Sequence, residues 1–184
     1  MLAPDDQKYF SECVDIIETQ QIDIDEEKIL DLLQIVMRWP EDSLETINHC
    51  GMVSNDYFTN SKYLDYGKWK KLYDLGFTSQ LYNVLDLTSQ LRELNESLYK
   101  VKGSYTSANF YLSKGSTTRR PSFNPHHHDY HVIIKPIYGK CKWLIGKDTQ
   151  DIEPGQIVVL PAFTDHAVTE ALEPRLSLTL NVSS

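Results

Sequence analysis

The sequence predicts a mainly β protein whose N-terminal half forms a helical layer. Three observations point there. Up to about residue 101 the apolar residues recur at helical spacing. From Gly103 onward they fall in short β-branched and aromatic runs separated by Gly, Pro and Asp. Five of the six histidines then lie between residues 126 and 166, inside the β half. With 184 residues the chain suits a single domain, read here as 1–184, with a helical scaffold over 1–101 and a metal-binding β core over 102–184.

In chain order, Leu30, Leu33 and Met37 recur at helical spacing, with Trp39 near the end of the run and Pro40 stopping it. Residues 44–60 read as irregular, with Asn48, Gly51, Asn55 and Asn60. A helix over Lys62–Leu75 ends at Gly76. Thr78 is read as the cap of a longer helix toward Tyr99 that carries Leu81, Leu85, Leu91, Leu94 and Leu98. Strands follow at Tyr105–Leu112, Val132–Tyr138, Cys141–Ile145, Ile157–Leu160, Ala167–Ala171 and Leu176–Val182, with a polar loop over Lys114–Pro125. Trp143 and Phe163 are expected in the core, and Tyr130 and Phe123 beside the histidines. Short strands with turn residues between them describe an antiparallel sandwich or small barrel.

Composition removes several functions. The net charge of -8 does not favour a nucleic-acid backbone. Cys13, Cys50 and Cys141 make no disulfide framework and no zinc spacing, which fits a reducing, cytoplasmic setting. No apolar run reaches the roughly 18 residues of a membrane span, and the acidic start, with Asp5 and Asp6, is unlike a signal peptide. Neither a phosphate-binding Gly-rich loop nor a nucleophile elbow is present.

The chemistry concentrates at His126, His127, His128, Asp129 and His131, just before a hydrophobic strand. Alternate residues of an extended chain share a side. Either His127 with Asp129, or His126 with His128, therefore presents two ligands to one ion, and His166 supplies a third from a distant strand. Two histidines and a carboxylate form the facial triad of non-haem Fe(II) oxygenases.

The segment Pro154-Gly155-Gln156-Ile157-Val158-Val159-Leu160-Pro161, followed by Ala162 to His166, resembles the second motif of the cupin superfamily. The stretch Val132–Trp143, with Gly139 at its turn, resembles the JmjC-type cupin hydroxylases, and among them the ribosomal oxygenases and the asparaginyl hydroxylase. The likeness covers about residues 103–184. It implies a double-stranded β-helix (jelly roll), Fe(II), 2-oxoglutarate as cosubstrate, and hydroxylation of an unactivated C–H in a small molecule, amino acid or peptide. It is also compatible with a homodimer.

The family's first motif, His-x-Asp, falls on His127 and Asp129, which makes His127, Asp129 and His166 the preferred ligands. A gapless match backward from Gly139 lands instead on His126 and His128. With His166 these give a three-histidine site, as in cupin thiol dioxygenases that use no 2-oxoglutarate; a non-catalytic metal-binding cupin is the other alternative. The family's cosubstrate-binding cation falls on Cys141. Lys142 keeps the family's spacing from the aspartate and needs a bulge at Gly139–Lys140 to turn inward. Arg175 is the second choice, and Arg119, Arg120 and Lys135 are further cations within reach. Asn181 and Asn109 match positions near the family's cosubstrate.

Overall fold

The computed structural model describes residues 4–48, 50–101, 105–116 and 123–183. Helices α1 (Pro4–Thr19) and α2 (Glu26–Leu33) come first, followed by strands β1 (Leu44–Asn48) and β2 (Gly51–Met52). The short helix α3 (Asn55–Phe58), the hairpin of β3 (Thr59–Asn60) and β4 (Tyr63–Leu64), and helix α4 (Tyr66–Asp74) come next. Strand β5 (Thr78–Leu81) and helix α5 (Ser89–Tyr99) complete the N-terminal part. The remainder is strand: β6 (Tyr105–Ser113), β7 (His131–Tyr138), β8 (Cys141–Ile145), β9 (Asp148–Ile152), β10 (Val158–Leu160), β11 (His166–Glu170) and β12 (Arg175–Ser183). No described helix is long and apolar enough to cross a membrane.

Side chains set the helix ends. Asp25, Asp65 and Thr88 accept from the backbone N–H groups of Lys28, Lys68 and Leu91, at 2.8, 3.1 and 3.2 Å, and so start α2, α4 and α5. The last carbonyls of α1 are gathered by Lys135 of β7. Its ammonium donates to Ile17 O, Glu18 O and Gln20 O at 2.7, 3.1 and 2.6 Å, which fastens the helix to the sheet.

The architecture is mixed: an N-terminal helical region on a multi-stranded antiparallel, cupin-like core. Seven strands form one sheet in the order β10-β7-β12-β6-β5-β1-β2, and three form a second in the order β11-β8-β9. Along β12, Leu176, Leu178, Leu180 and Val182 pack against the helices in one core with Leu91, Leu94, Leu98 and Phe110. The alternate residues Arg175 and Thr179 face the other side, into a cavity also bordered by the second sheet. Strand β7 divides likewise: Ile133 belongs to the helical core, and Val132 and Ile134 to a second core shared with Trp143, Ile152 and Val168.

The N-terminal half departs from the sequence reading at several points. Residues 44–60, read as irregular, hold β1, β2, α3 and β3, and the Lys62–Leu75 stretch opens with β4 before α4 starts at Tyr66. Two departures shape the main sheet: residues 44–48 are strand, and Thr78 opens strand β5 rather than a helix. Both extend the main sheet: β5 pairs with β1 on one side and β6 on the other. Polar as it is, β5 is fully buried because its hydroxyls are bonded. Ser79 Oγ takes the indole N–H of Trp69 at 2.8 Å and pairs with Thr46 Oγ1 at 3.0 Å. The helix runs only from Ser89 to Tyr99, after a break at Asn83 with φ 54°. Strand β9 was not anticipated; four of its five residues are exposed, leaving no apolar alternation to read.

Candidate metal centre

His126 lies just ahead of β7 and forms an isolated antiparallel bridge with His166, the first residue of β11. The two exchange backbone hydrogen bonds, His126 N to His166 O at 3.2 Å and His166 N to His126 O at 2.8 Å. Directly opposed residues put their side chains on the same side. His128, two residues on, joins that side, and His127 and Asp129 fall on the other. The ligand atoms of His126, His128 and His166 accordingly lie within 4.8 Å of one another, the candidate metal-ligand group found among the described residues.

Hydrogen bonds prepare these imidazoles for a metal. The Nδ1 of His126 contacts Asn124 O at 2.9 Å, and the Nδ1 of His166 contacts Thr164 O at 2.8 Å. A carbonyl only accepts, which assigns the proton to Nδ1 and leaves the Nε2 lone pair for coordination. Burial, helped by the neighbouring His126 and His166, pushes the His128 imidazole down to about 4. Burial also lowers His166. Both are therefore neutral near pH 7, as a ligand must be. Tyr130 stacks on His128 with centroids 4.7 Å apart, and Phe123 lies 5.2 Å from His126.

The preferred triad does not converge. His127 turns outward, its Nδ1 2.8 Å from Asp165 Oδ1, and both side chains are more than half exposed. Asp129 is exposed and outside the cluster. The converging set is the alternative, His126, His128 and His166. Its donors fit a metal ion: three neutral imidazoles suit iron, zinc, copper or nickel and leave coordination positions open.

The cosubstrate candidates scatter. Lys142 does not turn inward. It is half-exposed, and its ammonium lies 3.2 Å from Glu170 on the outer face of β8. The β7–β12 pairing slips register just before Gly139, between Pro136 and Tyr138, but β8 pairs with β9 in continuous register from Cys141, and Lys142 stays on the exposed side. Lys135 is committed to α1. Asn109 accepts from Asn83 N at 3.3 Å, and Asn181 donates to Ser107 Oγ at 3.1 Å; neither borders the cavity. Arg119 and Arg120 lie outside the described residues. Arg175 does reach the cavity. It is 2% exposed, and lines the same space as the three histidines. Phe163, expected in the core, is 69% exposed at φ 63°, at the rim beside His127.

Sequence reasoning missed Tyr111 and Thr179, which line the cavity, and Thr78, which meets the guanidinium. For Thr179 the signal was present in the alternation of β12, whose polar residues share the face opposite its leucines with Arg175.

Comparisons place this arrangement among known folds. A family model described as the AraC-like ligand binding domain matches residues 114–176. No curated protein matches. Two crystal structures of the Escherichia coli ribosomal oxygenase YcfD superpose over most of the chain. The complex with cobalt and succinic acid has a TM-score of 0.62 and 14% identity, covering 90% of this chain and 46% of that one. A second YcfD structure has a TM-score of 0.60 and 16% identity, with the same coverage. At such identities the likeness is one of fold: the chain has a fold like that of the JmjC-type, ribosomal-oxygenase cupins. It spans less than half the length of that oxygenase.

Proposed function

We propose that the chain is a three-histidine cupin metalloenzyme, an iron-dependent dioxygenase that receives a small organic substrate directly at the metal and does not use 2-oxoglutarate. The observation that carries this is the convergence of His126, His128 and His166 with Asp129 outside the cluster. Fe(II), when bound, supplies the activation of dioxygen. The chain's residues do the rest. Asn124 O and Thr164 O hold two imidazoles in the coordinating tautomer. Trp143, Val132, Ile134 and Val168 wall the cavity with apolar surface and exclude water. The reading takes the core as a double-stranded β-helix in a single cytoplasmic domain, acting on a small molecule or short peptide rather than on nucleic acid or membrane; sedimentation tests the homodimer.

The test is metal analysis of untagged protein, followed by oxygen uptake over a panel of small organic acids with and without 2-oxoglutarate. Stoichiometric iron and uptake independent of 2-oxoglutarate are expected. Succinate formation, or loss of iron on Asp129→Ala, would restore the hydroxylase reading. A non-catalytic binding module is the second reading, favoured by the AraC-like ligand binding domain match over 114–176. It expects ligand binding without oxygen uptake.

A further inference from the structure

The geometry points to a carboxylate subsite at Arg175, and to a compact carboxylic acid as the ligand that spans it and the metal. This rests on the three-histidine reading and names its substrate class.

Arg175 opens β12 and is 2% exposed, yet two of its donor atoms, Nε and Nη1, have no hydrogen-bond partner among the described residues. Its Nη2 reaches only Thr78 Oγ1, at a long 3.5 Å. A buried guanidinium without a counter-charge is costly, and its planar fork matches a carboxylate. The cavity it borders has no acidic residue in its described lining. Residues 123–128, beside the site, are also free of Asp and Glu, in a chain whose net charge is -8. Three neutral histidines leave the full charge of a divalent ion uncompensated. Metal and Arg175 thus form two positive poles in one apolar space, and a ligand must bring the negative charge.

Size limits that ligand. Arg175 and the three histidines line one small, largely apolar cavity with Val132, Ile134 and Trp143. That suits a short acid with its carboxylate on Arg175 and a second donor atom, such as a hydroxyl or carbonyl oxygen, toward the histidines.

The probes are lactate, lactamide and 2-oxoglutarate, titrated into Co(II)-loaded, untagged protein and followed by visible absorption. Lactamide keeps the hydroxyl and loses the charge. Lactate is expected to bind about tenfold tighter than lactamide in the wild type and in Arg175→Lys, with the preference gone in Arg175→Met. Equal binding of the two in the wild type, a preference that survives Arg175→Met, or tighter binding of 2-oxoglutarate than of lactate overturns the proposal. If Arg175→Met does not fold, the wild-type comparison decides alone. Failure of Co(II) to bind removes the metal reading but not this one. Metal-free protein should still show a melting-temperature rise with lactate that lactamide does not produce, and the absence of that rise defeats the subsite.

Discussion

At the scale of single residues, the metal centre is decided by which side of an extended segment faces His166. Four consecutive candidates, His126 to Asp129, offer two phases. Alternation leaves both open, because the phase depends on a cross-strand partner about 40 positions away. The family likeness favours the carboxylate, whereas the backbone bridge between His126 and His166 selects the histidines. Replacing His126, His128 or His166 with Ala should weaken Co(II) binding about 100-fold or more, since even outer-shell losses cost 10–100-fold. His127→Ala and Asp129→Ala should leave it within about threefold; calorimetric titration reads the contrast. Acid acts on the same residues. Burial holds the folded His128 down at about 4, below the ordinary imidazole value of 6.5, so in that window the unfolded chain holds a proton that the folded chain lacks. Stability of the metal-free protein should therefore be full above pH 6.5 and fall as the pH drops toward 4. Urea melts at pH 7 and pH 5 check this, and His128→Gln should flatten part of the difference.

At the scale of elements, the β half was legible and the N-terminal half only partly so. Strand β12 alternates leucine with polar residues on a period of two, and β7 carries a short β-branched run buried on both faces. Strand β5, Thr-Ser-Gln-Leu, hides in sequence because both its faces are buried and its polar groups are satisfied by Trp69, Thr46 and Arg175. Leu81 and Leu85 then mimic a helical repeat across the break at Asn83. Two junctions carry unusual weight. Removing the Lys135 ammonium with Lys135→Met strips three carbonyls at the end of α1 of their donor and should cost about 1–3 kcal/mol in urea unfolding. Gly139 sits at φ 74°, where an added Cβ would collide with Pro174 O and lie 2.8 Å from the Cα of Arg175. Gly139→Ala should lower stability by roughly 2–3 kcal/mol and weaken lactate binding along with it, because the collision falls on the residue that begins β12.

At the scale of the whole molecule, the division into a helical scaffold and a separate β core is a property of the sequence pattern rather than of the packing. Strand β6 lies between β12 and β5, so the N-terminal residues complete the sheet on which the site is built. Thr78 of β5 also meets the guanidinium at the site. The helical face of the sheet is buried: Phe110, Leu112, Ile133, Leu178 and Leu180 are each fully enclosed against α5 and its neighbours. Uncovering five such side chains costs roughly 10 kcal/mol, as much as the typical stability of an entire domain, about 5–15 kcal/mol. It also strips Phe110–Ser113 of β6 of their β5 partners and leaves β6 as an edge strand, a template for aggregation. A fragment covering residues 103–184, although it carries every proposed metal ligand and Arg175, is therefore expected to show no cooperative urea transition, to aggregate, and to bind Co(II) far more weakly than the full chain. Circular dichroism with urea titration and sedimentation decide it. A monomeric fragment with a sigmoidal transition and full metal affinity would make the N-terminal half a detachable cover, and the shared core would then not be what holds His126, His128 and His166 together.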